Sequence, residues 1–194
     1  LSASQNGRLL DQAQGEVLFT SYGLNGPAAL NVSSQVSRAL KDGNVSIELN
    51  FFPQLQDPQG FLRQRLAIFA NRRPKDFFAG MLHESIANLL IDFIGIRKNV
   101  PISQQTPHTL NRLAQTLCAW PLTAVGVRPW NEAMAATGGV NTQEINYNTF
   151  ESLKCPGLYV TGELLDVDGK SGGFNLHFAW ASGFAAAQGM PKEK

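Results

Sequence analysis

Three prolines, Pro58, Pro74 and Pro107, each stand at the head of a run with helical apolar spacing, and they constrain the middle of the chain more than any other feature. Proline has no backbone N–H, so it fits the first turn of a helix and breaks one further in. Asp57 supplies a cap ahead of Pro58, and Phe61, Leu62, Leu66 and Phe69 follow at roughly helical spacing toward Asn71. From Pro74, the apolar residues Phe77, Phe78, Met81, Leu82, Ile86, Leu89, Leu90 and Phe93 predict a second helix that stops at Gly95. Pro107 opens a third after Thr106, with Leu110, Leu113 and Leu117 facing inward. Residues 57–118 therefore read as a small helical module.

The flanks follow a different period. Residues 15–20 have a β-favouring centre and predict a strand, residues 21–26 a glycine-rich connection, and Pro27 the start of a helix to about Leu40 that Gly43 ends. Val45 to Leu49 alternate apolar with polar, the pattern of a half-exposed strand. Beyond Trp120, residues 122–127, 132–137 and 158–161 are candidate strands, with Gly138-Gly139 as a turn. A last helix is expected over residues 175–188, with Leu176, Ala179, Trp180, Gly183 and Ala187 on one side and Gly189 and Pro191 as its stop. The fold class is mixed α+β, the helical module being inserted between strand-helix segments.

The chemistry concentrates in residues 162–175, a glycine-rich loop between an expected strand and an expected helix. Glycines there let a ligand approach backbone N–H groups at a helix start, donors that suit a phosphate or an electron-rich carbonyl. Glu163, Asp166 and Asp168 suit sugar or ribityl hydroxyls instead, since a carboxylate accepts from a hydroxyl and repels a phosphate. The same three acids could offer oxygen ligands to a cation, but the spacing of a calcium loop is missing and no metal is assigned. A tight surface loop with a capped helix stays open as the alternative.

Charge and cysteine usage narrow the class. With 16 Lys and Arg against 15 Asp and Glu, the net charge of +1 gives no overall attraction to nucleic acid or an anionic membrane. The longest apolar interval, residues 89–96, is interrupted by Asp92 and falls short of the roughly 18 residues of a membrane span. Cys118 and Cys155 form neither a CxxC pair nor a zinc quartet, and read as two free structural thiols of a cytoplasmic protein. A local basic run, Arg63, Arg65, Arg72, Arg73 and Lys75, is read first as a solvated helix face, with phosphate attraction as the alternative.

Two long runs carry a resemblance. The segment CPGLYVTGELLDVDGKSGGFNL, residues 155–176, resembles the C-terminal flavin signature of the bacterial HI0933-like, BaiN-type, NAD(P)/FAD-dependent oxidoreductases. GEVLFTSYGLNGPA, residues 15–28, resembles that family's other long signature, and TGGV at 137–140 and TFES at 149–152 fall in the matching order. The resemblance implies a Rossmann-type FAD domain interrupted by inserted material. Residues 1–56 would be part of an inserted β-rich domain, 57–120 the helical insertion, 121–128 its return strand and 129–194 the C-terminal segment of the FAD domain. Gly162, Glu163, Asp166 and Asp168 would lie toward the ribityl and pyrophosphate groups, and Gly172, Gly173, Phe174 and Asn175 near the flavin. Electrons would pass from NADH or NADPH through FAD to an unidentified small organic acceptor. No catalytic residue is assigned; Tyr22 and His177 are candidates, each with a structural alternative.

The chain departs from the family layout in lacking a strand-GxGxxG-helix unit, the element that cradles a dinucleotide pyrophosphate. With Leu1 in place of Met, it reads as a C-terminal fragment whose FAD-domain partner half lies elsewhere, inactive and without firm flavin affinity alone. Strands expecting absent neighbours would expose apolar surface and favour a homodimer. A protein-interaction or nucleic-acid-binding module is the alternative function.

Overall fold

The computed structural model describes residues 1–191. It contains antiparallel strands and helices in two compact units: Leu1–Ser2 with Ser46–Thr123, and Ala3–Val45 with the chain from Ala124 onward. No helix of the described residues is long and apolar enough to cross a membrane.

In the first unit, strands β5 (Val45–Leu49) and β6 (Trp120–Ala124) are hydrogen-bonded neighbours. Between them run helices α2 (Pro58–Phe69), α3 (Pro74–Phe77), α4 (Glu84–Ile94) and α5 (Pro107–Cys118). Each proline-led start forms as the sequence predicts: Asp57 Oδ1 accepts from Gly60 N–H at 2.8 Å and Thr106 Oγ1 from Thr109 N–H at 3.1 Å. The helices bury Leu62, Leu90, Ile91, Ile94, Leu113 and Leu117. Phe77 and Phe78 meet edge to face beside them, ring centres 5.4 Å apart.

The expected continuous helix from Pro74 to Gly95 is corrected to two. The Arg65 guanidinium takes the carbonyls of Phe77 (2.8 Å) and Ala79 (2.6 Å), and the chain turns at Gly80 before restarting at His83, whose Nδ1 accepts from Ser85 N–H. Carbonyls captured by a side chain on α2 are drawn away from the helical ladder.

The second unit opens with neighbouring strands β1 (Ser2–Gln5) and β2 (Arg8–Gln12), joined by Asn6-Gly7 with φ of 52° and 77°, a type I′ turn. The expected strand at 15–20 shortens to β3 (Leu18–Thr20), which pairs antiparallel with β4 (Gly23–Asn25) in the register Thr20 to Gly23. Helix α1 (Pro27–Ala39) buries Ala28, Val32, Val36 and Ala39, and the Gln5 side-chain amide holds its end by donating to Ala39 and Gly43 carbonyls, both at 3.0 Å.

From residue 125 the three expected strands are revised. The first ends at Ala124 because Val125 and Val127 run out into solvent. Residues 132–137 form no strand: a short turn at Trp130–Glu132, closed by Arg128 on Glu132, leads into open chain with no ladder partner among the described residues. At 158–161 only a single bridge survives, Glu151 with Tyr159, flanked by Ser152 N–H to Leu158 O and Val160 N–H to Phe150 O. Ile145, Val160 and Leu165 form a small core there, with Phe150, Val167 and Phe178 packed on it.

Helix α6 (Phe174–Gly189) ends where expected but turns a different face inward. Ser182 and Ala186 are buried, while Leu176, Trp180 and Phe184 stand 71%, 81% and 70% exposed. The small-residue face packs on the loop before it, which leaves the large side chains outside.

Candidate functional site

The glycine-rich loop is fixed by backbone contacts more than by its side chains. Gly162 opens a short turn (Gly162–Leu164) against α6: its N–H donates to the buried Ser182 Oγ at 2.9 Å, and that hydroxyl donates to Phe178 O at 2.7 Å. A Cβ on Gly162 would come within 3.3 Å of Ala179 Cβ, a tight approach of turn and helix at a φ of 61° that favours glycine. One oxygen of Glu163 accepts from Ala136 N–H at 2.7 Å, leaving the other for a second donor. Beside it, Trp130, Ala133, Met134, Ala135 and Ala136 line an open depression of about 180 Å³.

Leu165 then pairs in parallel with Val140, the Val140 N–H donating to Leu164 O at 2.8 Å and Asp166 N–H to Val140 O at 3.0 Å. Asp166 is thus held by its backbone. The carboxylates of Asp166 and Asp168 are exposed, with no ion pair or hydrogen bond among the described residues. Among those residues, no three His, Cys, Asp or Glu side chains converge as a metal site would require.

The next stretch is tied by two amide oxygens. Asn175 Oδ1 accepts from Gly169 N–H at 2.7 Å, and Asn31 Oδ1, on α1, accepts from Ser171 N–H at 2.6 Å. The chain then passes Gly172 and Gly173 and enters α6 with no side-chain cap and no acid in the first turn. Gly173 has φ of 89°, and apart from its chain neighbours Gly172 and Phe174 no atom lies within 4 Å of the position its Cβ would take. The first N–H groups of α6 therefore form the positive end of an uncapped helix beside open space. Phe174 lies at that opening, 61% exposed.

Gly162, Gly169, Gly172, Gly173 and Asn175 are thus joined in one loop-helix arrangement, whereas the side chains of Tyr22 and His177 stand outside it, His177 entering only through its backbone N–H, which donates to Gly173 O at 2.9 Å. Tyr22 accepts from Asn25 Nδ2 at 3.0 Å and lies under the Arg128 guanidinium, 4.3 Å from its ring centre. The His177 imidazole is exposed, and none of its hydrogen bonds reaches the loop among the described residues. Asn31 and Ser182 organise the site without a local signal: Asn31 is 140 positions from its partner, and Ser182 looks like one polar residue on an apolar helix.

Comparison with known proteins adds the following. Residues 2–135 match the family described as HI0933-like protein barrel and H2TH domain. The chain is 30% identical over 186 residues to the 3-dehydro-bile acid delta(4,6)-reductase of Clostridium scindens, covering 93% of this chain and 45% of that protein. It is 33% identical over 174 residues to the ribosomal RNA dihydrouridine synthase of Escherichia coli, covering 90% and 42%, and 28% identical over 178 residues to that of Haemophilus influenzae, covering 92% and 43%. The chain spans less than half the length of these curated relatives. Because they divide between two activities, the likeness supports the broad family and does not single out a BaiN-type branch.

Proposed function

Since the chain belongs to the HI0933-like family, we propose that it is the later part of an NAD(P)H- and FAD-dependent reductase, supplying inserted modules and the flavin-side loop of residues 162–175. The observation that carries this reading is the start of α6, where Gly173 leaves open space in front of uncapped helical N–H groups. Such donors match the electron-rich carbonyl edge of a flavin. Glu163, Asp166 and Asp168 hold carboxylate oxygens suited to ribityl hydroxyls, and only one oxygen of Glu163 is engaged by the protein among the described residues. The residues present therefore fit the cofactor on its flavin side. The pyrophosphate side calls for a GxGxxG unit from another stretch of polypeptide.

FAD supplies the two-electron transfer between NADH or NADPH and the acceptor. The N–H groups of Phe174, Asn175 and Leu176 would hold the electron-rich edge, the bonds to Asn31 and Asn175 would keep the loop in place, and the exposed Phe174 ring would offer an apolar face at the opening. The acceptor we infer is an organic molecule with an activated carbon–carbon double bond. The relatives' names describe a delta(4,6)-reductase and enzymes that make dihydrouridine, and both are additions of two hydrogens. One hydride and one proton add across the double bond as NAD(P)H becomes NAD(P)⁺. Tyr22 and His177 stay candidates for the proton donor.

The test is flavin retention. A longer protein in which a dinucleotide-binding half precedes these residues is expected to purify yellow, and the 194-residue chain alone is expected to bind FAD weakly or not at all. A longer protein that folds, binds no FAD in titration and shows no flavin absorbance would defeat the proposal. Gly173→Val, which fills the open space, is expected to reduce retention in the longer protein more than Lys170→Ala does.

A further inference from the structure

The helical module has a charge of its own. Residues 57–118 hold eight Lys and Arg against four Asp and Glu, a net +4, while the rest of the chain holds eight against eleven, a net −3. Several of the module's cations are already committed. Arg65 is bound to two carbonyls and lies over the Phe69 ring, Arg97 donates to Gln104 O at 2.6 Å, and Arg112 reaches the Phe93 and Ile94 carbonyls at the end of α4. Arg63 lies 3.8 Å from Asp57. Arg65 thus leaves the basic run that the sequence suggested.

Arg72, Arg73 and Lys75 are exposed and have no acceptor for their side chains among the described residues. Arg73 and Lys75 border a cavity of about 200 Å³ that Lys98 and the amides Asn88 and Asn99 also line, with buried Ile91 at its base. Lys98 is partly compensated by Asp92 at 2.6 Å. Two of these three uncommitted cations, Arg73 and Lys75, therefore border one recess, with two neutral donors beside them. A recess of this size is below the roughly 300 Å³ at which small-molecule pockets begin, so it suits one projecting group.

We propose that this recess anchors a phosphodiester of a nucleic acid strand. Lys and Arg bind phosphate oxygens through charge-assisted hydrogen bonds, and Asn joins them in contacts to phosphate and sugar. A membrane-binding basic face carries apolar side chains that insert, whereas the apolar residues lining this recess, Pro74 and Ile91, are both buried. The anchor positions a strand and reads no bases. It stands independently of the flavin proposal, because every residue in it lies in the helical unit.

The experiment uses the 194-residue chain, with fluorescence anisotropy of a labelled RNA hairpin and, separately, a DNA duplex of equal length, at about 50 and about 200 mM salt. The double variant Arg73→Gln with Lys75→Gln is expected to weaken binding about tenfold at the lower salt and to reduce the salt slope by about two. Lys98→Gln gives a smaller loss because Asp92 already offsets that charge. Lys154→Gln, outside the module and paired with Glu144, leaves affinity unchanged. Circular dichroism confirms that each variant is folded. Binding of either polynucleotide with this pattern supports the anchor, and the better ligand identifies the source of the phosphate. The proposal is overturned by no association at low salt, by equal affinity of the double variant, by equal loss in Lys154→Gln, or by equally tight, equally sensitive binding to phosphatidylserine vesicles or polyglutamate. FAD retention by the longer protein is read separately, so the two proposals can fail apart.

Discussion

Gly139 meets two constraints at one position. Its φ is 141°, and a Cβ there would lie 2.5 Å from Leu164 O and 2.8 Å from Leu165 C, backbone atoms of the segment that Val140 bridges. Neither atom can yield without lengthening the bridge, so Gly139→Ala is expected to destabilise the unit by about 2–3 kcal/mol, read from the urea midpoint. An unchanged midpoint would show that the bridge melts outside the cooperative unit. The thiols differ in a way pH can expose. Burial pushes the Cys118 thiol up from its ordinary value, whereas Cys155 is exposed. Since the thiolate is the nucleophile, a raised pKa means less reactive Cys118 at any given pH. Iodoacetamide at about pH 8 should modify Cys155 first, with Cys118 gaining ground as pH rises through its elevated pKa. Peptide mapping that finds equal rates at both sites would contradict this ordering.

At the scale of elements, what is legible in the sequence is local. The Asp57 and Thr106 caps, the proline starts and the alternation of β5 depend on residues within a turn or a strand of one another. Asp57→Ala removes the bond to Gly60 N–H and should cost about 1 kcal/mol, with Asp57→Asn restoring most of it; thermal melts of both variants provide the check. The break between α3 and α4 was not legible, because it depends on Arg65 capturing carbonyls 12 and 14 positions away. Nor was the tie from Asn31 to Ser171, since no periodicity links α1 to a loop near the other end of the chain. The β1–β2 hairpin is carried by the local Asn6-Gly7 pair, whose positive φ values form the turn. The face of α6 differs from the expectation for another reason: apolar spacing marks a surface that will be covered, without saying by what, and within this chain Ser182 and Ala186, with Phe178, do the packing.

Across the whole molecule, the stripe of Leu176, Trp180 and Phe184 stands exposed on the helix that also opens the candidate site. Side chains of this size are found together on a surface chiefly where another element covers them. If that element is the dinucleotide-binding half, the stripe serves the same pocket as the loop before it, and in its absence a second copy of the chain is the nearest apolar surface. The 194-residue chain is accordingly expected to self-associate in sedimentation velocity as its concentration rises, and Trp180→Glu with Phe184→Glu to leave a folded monomer with an unchanged melting temperature. If α6 presents flavin-side N–H groups as proposed, the same pair of substitutions in the longer protein should loosen FAD, because the helix would no longer be clamped from outside. Self-association that survives the double variant would place the contact elsewhere. Undiminished FAD retention in the longer protein would separate the stripe from the flavin pocket altogether.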